Sequence, residues 1–147
     1  MKYSTEIVIR LPRTRVMELF CNVETLQQWQ PGLKHIERLA GNTGEEGARS
    51  KLTYTGRKND LVLTETITTL RYPEQISMTY NSRGIYNKVV NHFKEVEPGV
   101  TLLQTENYFR FSGMMMIMAP FMKQAFIHNT MLSMDRFKLF AENPGII

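Results

Sequence analysis

Glu65 is the ionisable residue whose position in the sequence most strongly suggests chemistry. In the stretch Leu61–Arg71, Leu61, Leu63 and Ile67 are apolar and stand at alternate positions, and Glu65 falls in the same series. Because strand side chains alternate between two faces, its carboxyl group is predicted to point inward with them. A buried carboxylate needs a partner or a raised pKa. It is therefore either a ligand anchor or general base, or a structural group that a bulge turns outward or a basic neighbour pairs.

Further polar side chains are predicted on inward faces by the same periodicity. Buried polar groups must be hydrogen-bonded, so they either satisfy one another and internal water, or converge on one cavity as the polar groups of an apolar pocket. Glu65 is the best catalytic candidate. The full predicted ligand-binding set, polar and apolar, is Tyr54, Glu65, Tyr80, Asn91, Asn107, Phe109, Met118, Met122, Phe126 and Thr130.

Established catalytic motifs are missing from the sequence. It contains no GxSxG, HExxH, CxxC or P-loop, and no GxGxxG that leads into a helix. His35, His92 and His128 are far apart and show no metal-ligand spacing, and their faces predict surface positions. We therefore expect no metal site and no cofactor. Acid–base catalysis needs only one or two positioned groups, so an enzyme is not excluded.

Methionine is concentrated in the last third of the chain, which the sequence predicts to be the central packing element. Beyond Pro120 the spacing of apolar residues predicts one long amphipathic helix with Phe137 buried and Lys138 exposed, stopped at Asn143-Pro144-Gly145. Pro120 fits the first turn of that helix or a kink. The run Met114–Met118 is placed before the helix. It is either a pliable pocket mouth or membrane-contacting lip, or gap-filling core.

The elements that must position these residues read as one strand, two short helices, six strands and the long helix. The first helix follows Pro12 and ends near Asn22, and a second short piece covers Glu24–Trp29. Short turns between the strands imply antiparallel pairing. The predicted strands are Tyr3–Leu11, Leu33–Ala40, Ala48–Gly56, Leu61–Arg71, Gln75–Tyr80, Tyr86–Val96 and Val100–Phe111. The fold class is therefore α+β, a curved antiparallel sheet of about seven strands wrapped around a long C-terminal helix.

Composition places the chain among ordinary globular proteins. Its 147 residues suit a single domain spanning 1–147, and the sole cysteine, Cys21, suits a reducing compartment. The sequence begins without a signal-peptide apolar core, and we expect a cytoplasmic protein. The net charge of +4 comes from scattered basic residues, so no nucleic-acid partner is expected and at most peripheral membrane contact. The oligomeric state is left open.

The order of these elements, together with short motifs along nearly the whole chain, resembles the START-like or SRPBCC superfamily, the polyketide cyclase/dehydrase and lipid-transport group with the helix-grip fold. Each motif alone is a weak structural signal, and the resemblance depends on the order in which they occur. The motifs are Ile9-Arg10-Leu11-Pro12 running into Val16-Met17-Glu18-Leu19-Phe20, then Leu26-Gln27-Gln28-Trp29-Gln30-Pro31-Gly32, Glu46-Gly47-Ala48-Arg49-Ser50, Thr64-Glu65-Thr66-Ile67, Tyr72-Pro73, Pro98-Gly99-Val100-Thr101 and Phe137-Lys138-Leu139-Phe140-Ala141-Glu142.

What this resemblance implies is a fold with a pocket between the sheet and the C-terminal helix. The expected function is binding of an apolar small molecule, such as a lipid, isoprenoid or polyketide, by a carrier or sensor. The alternative is a cyclase, aromatase or dehydratase in which Glu65, Tyr54 or Tyr80 moves protons. A third possibility is an interaction module that uses its sheet face or methionine lip.

Overall fold

A computed structural model describes residues 1–143, so the predicted stop signal at Pro144-Gly145 lies outside the described residues. Residues 1–143 form seven strands and three α-helices, with a 3-10 turn, Val23–Thr25, between the first two helices. The strands are β1 Lys2–Ile9, β2 Leu33–Ala40, β3 Arg49–Tyr54, β4 Leu61–Arg71, β5 Gln75–Ser82, β6 Ile85–Glu97 and β7 Val100–Phe111. The helices are α1 Arg13–Cys21, α2 Leu26–Trp29 and α3 Met114–Glu142.

All seven strands belong to one antiparallel sheet in the order β1-β7-β6-β5-β4-β3-β2. Strands β2 to β7 pair with their neighbours in sequence, as the short turns predicted. The exception is β1, which pairs with β7 in a register that joins Lys2 to Tyr108 and Ile9 to Thr101. The predicted α+β architecture, with its sheet, long helix and two short helices after β1, is confirmed.

The core lies where the short helices and the end of α3 meet the sheet. Four aromatic side chains form its centre, with ring centroids 4.8–5.5 Å apart: Phe20, Trp29, Phe93 and Phe137. The rings meet edge to face or tilted, as aromatic quadrupoles favour. Phe137 is fully buried, as predicted, and Trp29 is a core residue.

The beginning of α3 differs from the sequence-based expectation. The helix starts at Met114, so Met114–Met118 forms its first turns and Pro120 lies inside it instead of opening it. The β5–β6 turn beside the start of this helix requires glycine, because Gly84 has φ +76° and a Cβ there would lie 3.0 Å from the Ser112 carbonyl oxygen and 3.1 Å from Met115 Cγ. The methionine run was misplaced because a proline is an equally good signal for a helix start and for a tolerated interior break.

Contacts along β1 hold α3 against the sheet. The Tyr3 hydroxyl shares a hydrogen bond of 2.7 Å with Thr130 Oγ1. At the other end, Glu142 Oε2 accepts from the backbone N–H of Arg10 at 2.8 Å and from Lys138 Nζ at 2.9 Å. Lys138 Nζ also donates to the carbonyl of Val8, and the side chain is 35% exposed, so the exposure predicted for Lys138 is only partial.

Candidate functional site

Glu65 lies on the inner face of β4, where the alternation of the strand predicted it. It pairs across the sheet with Tyr80 of β5 and Ser50 of β3. A bulge does occur in β4, but between Ile67 and Thr69, so it leaves Glu65 facing inward. Beyond the bulge, Leu70 packs against the core. One of the two structural interpretations of Glu65, that a bulge turns it outward, is therefore wrong.

No cation neutralises this carboxyl group within residues 1–143. The ion pairs there join other residues, and none of the hydrogen bonds that arginine or lysine side chains donate involves Glu65. Burial raises the pKa of Glu65, and a hydrogen bond from Tyr80 lowers it by a smaller amount. The result is a carboxyl group shifted toward its protonated form, which can donate a hydrogen bond as well as accept one.

Two tyrosines surround Glu65. Burial raises the pKa of both Tyr80 and Tyr54, and the neighbouring Glu65 raises each pKa further. Both phenols therefore stay protonated at neutral pH. The Tyr80 hydroxyl also lies 3.4 Å from Met78 Sδ, but we assign its proton to Glu65, because a carboxylate is a far stronger acceptor than a thioether.

Cys21, at the end of α1, completes this group. Burial raises the pKa of its thiol to about 11, and the charge of Glu65 contributes to the rise. A thiol with such a pKa is a poor nucleophile at neutral pH, since the thiolate is the reactive form. Cys21 is therefore suited to line a pocket and unsuited to covalent catalysis.

A small pocket adjoins Glu65 and Tyr80. Its volume is about 50 Å³, enough for a few water molecules at most. It lies between β4–β5 and the short helices, with Gly44 of the β2–β3 loop at its edge. Its lining residues run from exposed Asn22 and Val23 to the interior: Phe20, Cys21, Asn22, Val23, Leu26, Trp29, Gln30, Gly44, Glu65, Ile67, Ile76, Met78 and Tyr80.

This pocket is not where the sequence analysis placed it. We expected a cavity between the sheet and the C-terminal helix, but no α3 residue lines the pocket. The predicted residues of that helix, Met118, Met122, Phe126 and Thr130, lie elsewhere. Of the predicted ligand-binding set, Glu65 and Tyr80 line the pocket, and Tyr54 adjoins Glu65.

Aromatic stacking fills the space where the cavity was expected. The ring of Phe126 on α3 lies 5.0 Å from that of Phe109 on β7, nearly parallel to it, and Phe111 and Tyr3 extend the stack. Phe109 and Phe126 therefore pack against each other. Strand periodicity predicted that both rings face inward, but it could not show that they meet.

The remaining inward polar residues form a row between β6–β7 and α3. Thr105 donates to Asn91 Oδ1 at 2.8 Å, and Asn91 Nδ2 donates to the Ile76 carbonyl at 3.4 Å. Thr130 is bonded to Tyr3. Asn91 and Thr130 thus match the interpretation in which buried polar groups satisfy one another. Asn107 accepts from Asn87 at 3.4 Å, and its Nδ2 has no partner among residues 1–143.

Trp29 contributes a feature that the sequence analysis missed. Its side chain is almost fully buried and lines the pocket, and its Nε1 has no hydrogen-bond partner among the described residues. Buried indole N–H groups usually find a partner. The sequence predicts a core position for Trp29 beside the two short helices. The signal that could have suggested a second role is that indole always carries a donor.

The two methionines of the predicted set lie near the beginning of α3. Met118 is 48% exposed, and Met122 is half-buried. Neither reaches Glu65. They belong to an apolar helix end that is described below.

A larger groove, of about 280 Å³, lies on the outer face of the sheet and away from Glu65. It is shallow, and Tyr86, Lys88, Val90, Tyr108 and Arg110 form it. The Arg110 guanidinium lies over the Tyr86 ring at 4.5 Å. A cross-strand cation–π pair of this kind is ordinary for a solvent-facing sheet, so the smaller inner pocket is the better candidate site.

The histidines lie apart, as the sequence indicated. His35 and His128 are exposed, and His92 is partly exposed beside Glu106 at 3.6 Å. Among residues 1–143 there is no group of three or more His, Cys, Asp or Glu side chains with metal-binding geometry. The same range contains no helix with the length and hydropathy needed to cross a membrane.

The sheet, the two short helices and the long helix together define the helix-grip fold, and solved structures share it over their whole length. The protein TTHA0849 from Thermus thermophilus superposes with a TM-score of 0.80 at 12% identity, covering 99% of each chain. Ara h 8.0201 gives a TM-score of 0.78 at 13% identity, over 96% of this chain and 97% of that one. The Zhui aromatase/cyclase from Streptomyces sp. R1128 gives 0.78 at 14%, over 97% and 94%.

At these identities the similarity establishes the fold. The fold that the START-like resemblance implied is confirmed. No known protein-family profile matches the chain. No functionally curated protein matches it significantly in sequence.

Proposed function

We propose that this protein binds a largely apolar small molecule that carries a hydroxyl or carbonyl group, and holds it in the pocket beside Glu65 as a carrier or sensor. The observation that supports this most directly is a half-buried, inward-facing carboxyl group without a cationic partner among the described residues. Stability alone does not favour such a group, because burying it costs free energy. Its position at the inner end of an apolar pocket favours a role in recognition.

The polar groups at the pocket determine which ligand chemistry fits. Glu65 offers acceptor oxygens, Trp29 Nε1 offers a donor that has no partner among the described residues, and Tyr80 offers a hydroxyl. The rest of the lining is mainly apolar, including Phe20, Ile67 and Ile76. A lipid, isoprenoid or polyketide with one oxygen function at its inner end meets both requirements.

The pocket is too small for such a ligand and must enlarge when the ligand binds. At about 50 Å³ it is well below the roughly 300–1,000 Å³ of pockets for drug-sized ligands. Met78 is unbranched and can change rotamer at little cost, and the β2–β3 loop that carries Gly44 is a surface segment. Movement of these two parts would extend the pocket toward solvent between Asn22 and Gly44.

The first test is extraction followed by a blocking substitution. Native mass spectrometry of the purified protein should show a bound apolar compound that organic solvent removes. Leu26→Trp places a large ring at the pocket and should abolish retention, whereas Leu139→Trp, at an exposed position of α3, should retain it. Alkylation of Cys21 by iodoacetamide should be slower in the loaded protein than in the extracted one. Equal retention by the two tryptophan variants would contradict the proposal.

Enzymatic use of the same pocket is the second candidate. It is favoured by the raised pKa of Glu65 and by the Tyr80 hydroxyl that orients it, which are the requirements for a general acid or base. Glu65→Gln keeps the shape and removes the charge. In a carrier, uptake of the extracted compound should largely survive. In an enzyme, turnover of that compound should fall by roughly 10²–10⁴-fold while binding changes little.

A further inference from the structure

The first turns of α3 expose an unusual amount of apolar surface. Phe121 is 89% exposed, Met114 72%, Ile117 69%, Met116 64% and Met118 48%. We call these five residues the methionine cap. Between Gly113 and Ile127, Lys123 and Gln124 are the only polar side chains. Contiguous apolar surface of this kind on a globular protein marks a contact site.

The opposite side of the same turns is also apolar, and it is covered. Ala119 is buried, Met115 packs at Gly84, and Phe126 stacks on Phe109. The inner side therefore explains why these turns attach to the sheet. A helix that is apolar all round is normally buried all round. Within residues 1–143, nothing covers the outer side.

Basic side chains share the end of the molecule on which the methionine cap lies. The antiparallel registers bring the β3–β4 turn, the β5–β6 turn and the start of α3 to one end of the sheet. Arg57 and Lys58 lie in the first turn, Arg83 in the second, and Lys123 on α3, all at least partly exposed. Within the described chain none of the four is in an ion pair.

Acidic residues concentrate at the other end of the sheet. Glu45, Glu46, Glu74 and Glu97 all lie in or beside the turns there. At the basic end, Asp60 is the acid of the β3–β4 turn, and Lys34 holds it at 2.6 Å. Basic residues lie at that other end too, among them Arg38, Arg49 and Arg71, so both signs of charge are mixed there, whereas cations predominate around the methionine cap.

We propose that the methionine cap inserts into the surface of an anionic lipid bilayer. Acyl chains accept the apolar side chains, and lipid phosphates meet the surrounding cations, which is the combination that holds interfacial helices on membranes. A second copy of the chain fits less well, because a two-fold interface uses the same patch on both subunits and would bring two positively charged surfaces together. The proposal rests on exposed residues and is independent of the pocket at Glu65.

Vesicle flotation tests the proposal directly. Wild-type protein should float with vesicles of phosphatidylcholine that contain about 30% phosphatidylglycerol, bind pure phosphatidylcholine far less, and dissociate in about 0.5 M NaCl. Ile117→Ser combined with Phe121→Ser should weaken binding at least about tenfold, since two large apolar side chains lose their burial. Leu139→Ser, on the same helix and 63% exposed, is the matched control and should bind as the wild type.

The contribution of the basic side chains and the insertion of the methionine cap into the bilayer are tested separately. Arg83→Glu with Lys123→Glu should weaken binding to anionic vesicles and leave the melting temperature unchanged. Phe121→Trp should show a blue-shifted emission when such vesicles are added, and Trp29 contributes a constant background because it is 1% exposed. Glu65→Gln should bind vesicles as the wild type does, so failure of the pocket proposal remains distinguishable.

Three results would overturn the proposal. The first is wild-type protein that stays in the soluble fraction with anionic vesicles. The second is equal flotation of the wild type and the Ile117→Ser/Phe121→Ser variant. The third is a wild-type dimer that this double substitution dissociates, which would make the methionine cap an interface between copies. Circular dichroism of each variant must match the wild type, and exposed positions make that outcome the expected one.

Discussion

The carboxyl group of Glu65 is held in surroundings that favour its protonated form. It is an inward residue of β4 with Tyr80 as its neighbour, and burial raises its pKa above the ordinary value of 4.5. The folded protein therefore binds a proton more tightly at this position than the unfolded chain does. That difference connects one side chain to the stability of the whole protein.

The pH dependence of unfolding should reveal this residue. Between 4.5 and the raised pKa, the folded state binds more protons than the unfolded state, so the free energy of unfolding falls as pH rises through that window. Glu65→Gln removes this contribution. Its free energy of unfolding relative to the wild type should therefore increase with pH across the window and level off above it. Urea titrations at a series of pH values measure the difference.

Glu142→Gln is a control with the opposite sign. Partial burial raises the Glu142 pKa, but Lys138 and the Arg10 N–H lower it by more, so the net shift is downward. Glu142 thus stabilises the fold above its ordinary pKa, and that contribution disappears as pH falls through the lowered value.

A flat difference in unfolding free energy between the wild type and Glu65→Gln across this pH range would show that Glu65 is solvated. It would remove the main support for the pocket proposal.

At the residue scale, the sequence predicted which way side chains point but not which residues they contact. The alternation of Leu61, Leu63 and Ile67 correctly turned Glu65 inward, because a strand has two faces and one of them was apolar. It could not place Cys21 beside Glu65, since that neighbourhood depends on how α1 crosses the sheet. Nor could it show that Trp29 Nε1 lacks a partner among the described residues, which is a property of the assembled core.

At the scale of elements, α3 has two halves with different surroundings. Its C-terminal half carries Phe137 and Phe140 into the aromatic core, and its first turns pack one side on the sheet and expose the other. Pro120 lies between them and interrupts the hydrogen-bond ladder of the helix. The helix periodicity predicted the buried half well. The prediction failed for Met114–Met118 because apolar residues occupy every face of the helix there, so periodicity shows no polar side.

Phe137→Ala should cost roughly 3–5 kcal/mol of unfolding free energy, the usual effect of truncating a large core aromatic. The side chain is fully buried and its ring contacts those of Phe20 and Trp29. Leu139→Ala, two residues along the same helix but 63% exposed, should cost less than about 1 kcal/mol. Denaturant unfolding of the two variants measures both. Comparable losses would mean that α3 does not pack as described.

Pro120→Ala should stabilise the first turns of α3. Alanine restores the N–H that can bond to the carbonyl of Met116, and a helix-interior proline costs about 3 kcal/mol against about 1 kcal/mol of entropic benefit in the unfolded chain. Amide hydrogen exchange at Met118 and Ala119, the first N–H groups with acceptors inside the helix, should slow. Pro120→Gly restores the same N–H and should give a smaller gain, by about 1 kcal/mol. Unchanged exchange in both variants would show that the proline does not limit this segment.

At the scale of the whole molecule, the order of elements was enough to predict the architecture. One strand, two short helices, six hairpin-linked strands and a long helix permit few other arrangements, because short connections impose antiparallel neighbours. The position and size of the pocket were not predictable in this way. They depend on Phe126 meeting Phe109 and on the short helices standing over β4 and β5, which are contacts between residues distant in sequence.

The pairing of β1 with β7 has a consequence for how the protein is made. A ribosome releases β1 first, yet its partner lies about a hundred residues later, where Lys2 meets Tyr108. Strands β2 to β7 can add to one another as each emerges, but β1 must wait with its apolar side chains uncovered. The nascent chain therefore exposes an unpaired, aggregation-prone strand during most of its translation. Closing that strand onto the nearly finished sheet is a non-local step, which loop-closure entropy makes slow, and a chaperone would be most useful before it.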